Sequence, residues 1–425
     1  MKILIIIHGY PPEYNAGSEV YTQTISNALS KNHKIRIFTR EEDPYRRDFE
    51  LRTEILENGI QIDRVNKRID KDRFSHPEVD SIFQKILDDF LPDLAHIGHL
   101  NHLSTGIPEV LQKNKIPIVY TLHDFWLLCP RGQFLQGNFG QEEFYKVCEK
   151  QIDRKCAENC YNHYFTGIPN RREEDISYWE GWVRSRMTET RKILDLVDIF
   201  LAPSYYLRNR FLESSSIPEE KIEYLDYGFS LNLNEPKKPV KEKVFTFGYI
   251  GTHIPAKGVN LLIEAFLKIS LKSKLIIWGR NNLHFSNILK QMSKNSKYPI
   301  EFRGEYKNSD IFQEVFLNID CIVVPSIWAE NSPLVIHEAQ AFSVPVITAD
   351  TGGMSEYVQH GINGYLFEHR NSESLKSIME EAIRNRIELE KLGKRGYLYS
   401  EDGTVPDIES HCKKLEYIYQ KVIVG

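Results

Sequence analysis

At 425 residues the chain exceeds one ordinary domain and calls for two or three. With 41% hydrophobic and 27% charged residues it has the balance of a globular protein, which excludes a disordered one. A net charge of −5, with Lys and Arg scattered along the chain, excludes a basic nucleic-acid surface. The opening apolar run, Ile3 to Ile7, is too short for the core of a signal peptide and stops at a Gly/Pro turn, so it reads as a first β-strand. No stretch reaches the ~18 apolar residues that a membrane span needs. A cytoplasmic protein is expected, with peripheral association at the inner face of a membrane left open.

After the first strand, the loop HGYPPEYNAGSE leads into a helical stripe of Val20, Ile25 and Leu29, then into a second strand at residues 35–38. Residues 41–75 are charged and read as an irregular excursion. Asp70-Lys71-Asp72 spells a D-x-D, but no strand precedes it, and it reads as a solvated charge cluster. Alternation returns with a helix at 79–90, a strand and loop in DLAHIGHL, a helix at 107–112, and a strand at 116–122. That strand ends in His123-Asp124. A histidine at the carboxyl end of a parallel strand looks into the crevice where doubly wound sheets bind ligands.

Residues 126–192 carry Cys129, Cys148, Cys156 and Cys160 in the pattern C-x18-C-x7-C-x3-C. Four thiolates can build a tetrahedral zinc site, yet this is not a standard zinc spacing, so the thiols read as free with a structural zinc as the alternative. A long helix follows at 170–198. The strand VDIFLAPS at 197–204 is then echoed by IDCIVVPS at 319–326. PIVYTLHD is echoed by PVITADTG, and MKILIIIHG by VFTFGYIGTH. The two halves share an order of strand types, which predicts two Rossmann-like domains. The polar run at 230–243 between them has the composition of a linker.

In the second half, Lys257-Gly258 stand at a helix entrance whose apolar face is Leu261, Leu262, Ala265, Phe266 and Ile269. The stretch ENSPLVIHE then sets Glu330 and Glu338 seven residues apart. Ser332 is expected as N-cap and Pro333 as the first helical residue. Such a helix start favours an anion such as a diphosphate, and Glu338, on the helix, can accept hydrogen bonds from a ribose diol. Thr351-Gly352-Gly353 close the next strand in a loop that a ligand can approach. Helices at 375–387 and 405–424 end the chain.

E-x7-E after a strand ending in Pro-Ser and before PVI-x5-GG resembles the signature of retaining glycosyltransferases of family 4, the group 1 glycosyltransferases with the GT-B fold. The resemblance runs from the first loop to the last helix. It implies an α/β protein of two Rossmann-like, doubly wound domains facing across a cleft. Residues 1–230 would form the acceptor-side domain, with the helix at 405–425 packing back on it, and residues 231–404 would bind the nucleotide sugar.

The resemblance also implies roles. Gly17 would let the first loop approach the donor diphosphate, and Lys257 with the helix entrance Ser332, Pro333, Leu334 and Val335 would bind it. Glu338 would hold the ribose, Glu330 the sugar hydroxyls, and His123 the sugar from the first domain. Where many members carry an arginine after the glycine of the G-x5-KG loop, this chain has Thr252, one cation fewer. The implied reaction moves a sugar from a UDP- or GDP-linked donor to a hydroxyl of a glycan, lipid-linked or small-molecule acceptor, with retention and no required cofactor or metal. Two alternatives share the fold: a non-catalytic relative that binds a nucleotide sugar or a partner, and a nucleotide-sugar epimerase.

Overall fold

The structure, a computed structural model, describes residues 1–69, 73–137, 145–162, 172–231 and 244–424. The chain divides into two compact units, Met1–Ser230 with Pro406–Gly425, and Leu231–Val405. The linker expected at 230–243 and the D-x-D at 70–72 lie almost wholly or wholly outside the described residues.

The first unit is built on β1 (Lys2–Ile6), β2 (Lys34–Glu41), β3 (Leu51–Ile55) and β4 (Gln61–Asn66). It continues with β5 (Leu94–Ile97), β6 (Ile118–Thr121), β7 (Ile199–Ala202) and β8 (Ile222–Tyr224). Among the described residues these form one sheet in the order β3-β4-β2-β1-β5-β6-β7-β8, parallel except for the β3–β4 pair. Its central strands, such as KILII, are apolar on both faces because crossover helices such as Gly17–Leu29 and Pro77–Phe90 cover both sides.

Residues 41–75, expected to be irregular, instead hold β3 and β4, paired antiparallel at the edge of the sheet. Their charges are paired across strands rather than solvated. Asp63, fully buried, accepts from Arg36 Nε at 2.5 Å and from Thr53 Oγ1 at 2.6 Å. Arg64 meets Glu54 at 2.6 Å and Arg52 meets Glu41 at 2.6 Å. Polar composition concealed the strands because charges such as Asp63 and Arg64 find their counter-charges only on other strands.

The C-terminal helix, Ile408–Val424, belongs to this unit. Buried Tyr21 OH is hydrogen-bonded to His411 Nε2 at 2.8 Å, and Tyr419 OH to His96 Nδ1 at 2.5 Å. Gly228 lies where a Cβ would strike the His411 ring.

The second unit comprises β9 (Phe245–Ile250), β10 (Ser273–Trp278), β11 (Ile300–Gly304), β12 (Cys321–Val324), β13 (Val346–Ala349) and β14 (Gly364–Phe367). Its parallel sheet runs β11-β10-β9-β12-β13-β14, the order of a doubly wound Rossmann sheet, which reverses between β9 and β12. Among the described residues no helix is long and apolar enough to cross a membrane.

Removing the Asp63 carboxylate would leave Arg36, itself 5% exposed, without its buried partner. Asp63→Ala is expected to lower stability by about 3–5 kcal/mol in urea unfolding. A loss under about 1 kcal/mol would mean that the pair behaves as a surface salt bridge.

Candidate functional site

Three loops meet at the carboxyl ends of β9, β12 and β13, beside the reversal of strand order. Gly258 has φ +68°, and a Cβ there would run into the Pro325 carbonyl, so glycine is what lets the β9 loop cross the end of β12. The Ile327 amide donates to the Ala256 carbonyl at 3.0 Å, and the Gly353 amide to the Glu330 carbonyl at 2.7 Å. A Cβ on Gly353 would strike the Asn331 carbonyl.

This stitching brings Lys257 and Glu330 together. Lys257 Nζ lies 2.9 Å from each Glu330 carboxylate oxygen, and the Ser326 hydroxyl donates to Oε1 of the same carboxylate. The Glu330 side chain is 7% exposed and the Lys257 side chain 32%, so the pair is buried at its anion and open at its cation. The Trp328 ring lies 5.7 Å from the ammonium.

The helix after this loop starts one residue later than expected. Pro333, with ψ 115°, is the cap residue and Leu334 the first helical one, with no side chain capping. Ser332 is held in the loop instead, its amide bonded to the Asn331 side chain. The Leu334 and Val335 amides therefore open the Leu334–Ala341 helix, where the positive end of its dipole lies. Glu338 rides further along it, and burial pushes its carboxyl up to about 7, with His337 pulling slightly the other way. Thr252 stands in the β9 loop with its carbonyl accepting from Tyr249 OH at 3.3 Å.

In the first unit, the carboxyl ends of β1, β5 and β6 gather a set of histidines. His123 Nδ1 is hydrogen-bonded to Tyr227 OH at 2.7 Å, and the two rings stack. His8 Nε2 lies 3.3 Å from Glu19, a carboxylate in the first turn of the helix that Gly17 opens. The His8 and His99 rings are 4.6 Å apart, and His99 Nε2 lies 3.4 Å from Asp124 Oδ2. Since His99 Nδ1 accepts from the Asn101 amide at 3.0 Å, Nε2 carries the proton toward Asp124. Burial holds His8 and His123 well below the usual histidine range, and the neighbouring His99 adds to it. Burial, then Arg40 and Lys67, brings His102 down to about 4. These three imidazoles are neutral at pH 7. Of this set the sequence reading singled out only His123. It missed His8, His99, His102, Glu19 and Asp124, whose signal was a histidine closely following each apolar strand.

Gly17 is exposed at its helix start, after Ala16 in extended conformation. Cys129, Cys148, Cys156 and Cys160 are buried and free, far from the loops of the second sheet in sequence. Among the described residues no three His, Cys, Asp or Glu side chains are gathered, as they stand, to hold a metal ion.

Comparison with known proteins bears on both units. The profile described as Glycosyltransferase Family 4 matches residues 15–232, and that described as Glycosyl transferases group 1 matches residues 232–399. The chain belongs to glycosyltransferase family 4. Among curated members, an uncharacterised glycosyltransferase of Methanocaldococcus jannaschii is 34% identical over 157 residues, 37% of this chain and 43% of that protein. The capsular polysaccharide biosynthesis glycosyltransferase CapM of Staphylococcus aureus is 27% identical over 222 residues, 46% of this chain and 55% of that protein. The match thus spans less than two thirds of these relatives' own length. Among solved structures, HepE of Anabaena, in complex with UDP and glucose, superposes with a TM-score of 0.68 at 17% identity, covering 99% of this chain and 100% of that one. Sucrose-phosphate synthase of Thermosynechococcus elongatus gives 0.69 at 15% identity, covering 100% and 99%. The fold of this family 4 member is therefore GT-B, with one Rossmann-like sheet in each unit.

A carboxyl lifted from about 4.5 to about 7 keeps, in the folded chain, a proton that the unfolded chain has released. Glu338 therefore lowers stability as pH rises through that window, by up to about 3 kcal/mol above it. Glu338→Gln removes the penalty. Its melting temperature relative to wild type is expected to be higher at about pH 8 than at about pH 5. An equal difference at both would mean that the carboxyl titrates normally.

Proposed function

We propose that this chain is a retaining glycosyltransferase. It moves a hexosyl group from a nucleotide-diphosphate sugar, UDP-linked in the first instance, to a hydroxyl of a surface glycan or glycoconjugate acceptor. The observation that carries the donor assignment is the Lys257–Glu330 pair, 2.9 Å at both oxygens, in the loop that leads into the Leu334–Ala341 helix. A part-exposed ammonium whose anionic partner is buried, in a loop that runs into a helix N-terminus, suits a diphosphate. Likeness to HepE, whose complex contains UDP, and to CapM, a capsular polysaccharide glycosyltransferase, supports the donor and the acceptor class.

In this reading Lys257 and the Leu334 and Val335 amides stabilise charge on the departing diphosphate, and Glu338 takes the ribose hydroxyls. Glu330 orients Lys257 and offers its remaining lone pairs to sugar hydroxyls. The first unit contributes His123, flanked by His8 and His99, and the loop that Gly17 ends. Neutral imidazoles donate to and accept from sugar hydroxyls without placing a charge against an uncharged ligand. Retention follows from attack by the acceptor hydroxyl on the face that the diphosphate leaves, with that diphosphate taking the proton. The protein's contribution is positioning and charge stabilisation.

A panel of UDP- and GDP-sugars, scored by thermal stabilisation and by nucleotide release, tests the reading. One donor is expected to stabilise wild type, with the effect lost in Lys257→Ala and its kcat/KM down by about 10²-fold. Equal stabilisation of wild type and Lys257→Ala would sink the donor site. NMR of the product is expected to show the donor's anomeric configuration, and an inverted product would overturn retention.

A further inference from the structure

The chain has six cysteines, and four of them, Cys129, Cys148, Cys156 and Cys160, line one cavity of ≈ 10 Å³ in the first unit. Each is between 5% and 8% exposed. They reach it from separate pieces of backbone. Cys129 opens a tight turn in which the Gly132 amide donates to its carbonyl at 2.8 Å. Cys148 is clamped by its amide to the Phe134 carbonyl at 2.7 Å, next to the Leu135–Val147 bridge. Cys156 ends the short helix Asp153–Cys156, and Cys160 sits in the π-helical turn Ala157–Tyr161, a geometry associated with functional sites.

Two cations share the cavity. Lys155 Nζ donates to Cys148 Sγ at 3.1 Å, and Arg131 is part of the lining. Cys156 and Cys160 also touch an apolar cluster, which they form with Ala157, Tyr161 and, from the long helix Glu173–Leu196, Ile176, Trp179, Val183 and Met187. A lysine and an arginine beside four thiols set this cavity apart from a purely apolar core.

We propose that Cys129, Cys148, Cys156 and Cys160 form a tetrathiolate site for one thiophilic metal ion, of which zinc is the chemically expected one. The cavity is about the size of a single small particle, which suits one ion. A divalent ion with four thiolates carries two excess negative charges, and Lys155 and Arg131 answer them. As the side chains stand, no three converge at ligand spacing, so binding must draw the sulfurs inward. Each thiol turns about one bond to do so, and gives its proton to solvent as its sulfur bonds the ion. The bound ion would staple the pieces of backbone that carry these four cysteines to the loop that carries His123 and Asp124, to which the Cys129 turn is already tied by the Phe125 amide donating to the Gly132 carbonyl at 3.0 Å.

The test uses full-length protein purified without a histidine tag or chelator, under reducing conditions. Elemental analysis is expected to find roughly one zinc per chain in wild type and in Cys412→Ser, and none in Cys148→Ser or Cys156→Ser. Because a cysteine variant can fail to fold, wild type stripped by chelator is titrated with Co²⁺ in parallel. A sulfur-to-cobalt charge-transfer band saturating at about one equivalent is expected. Absence of stoichiometric metal with no cobalt band overturns the proposal. Metal retained in both cysteine variants does so too, as do iron with inorganic sulfide in place of zinc, and thiols missing from an Ellman titration of the denatured chain, which would mean disulfides.

Discussion

The second unit turns on one buried carboxylate. Glu330 lies almost out of water, and an ion there is stable only if a counter-charge and hydrogen bonds replace its hydration. Lys257 supplies the first and Ser326 a further bond, from opposite sides of the point where the sheet reverses its order. That pairing requires the β9 loop to pass within backbone contact of β12, hence Gly258, and the β13 loop to pass within backbone contact of Glu330, hence Gly353. The glycines, the ion pair and the helix start at Leu334 are consequences of one geometric demand. Any change that separates these loops strands a charge.

The first unit solves a different problem with the same fold. Its sheet ends present imidazoles that burial keeps uncharged, with Glu19 and Asp124 fixing ring orientation from the side. Two Rossmann-like sheets thus carry different electrostatics at their carboxyl ends: an ion pair in one and neutral hydrogen-bonding rings in the other. The backbone is repeated; the chemistry is not.

The sequence made local features legible and left non-local ones hidden. Apolar strands such as 321–324 and the E-x7-E helix were visible because a strand and the helix after it lie within one short window. The echo of VDIFLAPS in IDCIVVPS exposed the duplicated architecture for the same reason. The β3–β4 edge was invisible, because Asp63 becomes a buried residue only when Arg36 arrives from another strand. The N-cap shifted by a residue because the Asn331 side chain bonds the Ser332 amide, a detail of side-chain geometry that residue type does not reveal. His8, His99 and Asp124 come from three strands brought together only by the sheet order. The cysteine spacing matched no standard pattern because the gathering is done by a turn, a bridge and a π-helical turn rather than by one compact motif.

The C-terminal helix has a consequence for how the protein is made. Its Tyr419 and His411 hydroxyl and ring nitrogen are bonded to His96 and Tyr21, and the chain re-enters the first unit where the Phe229 amide donates to the Pro406 carbonyl at 2.9 Å. Residues 406–425 are synthesised only after the whole of the second unit. During translation the first unit therefore lacks these partners for Tyr21 and His96 until the whole of the second unit has been synthesised. The order of completion is the reverse of the order of synthesis.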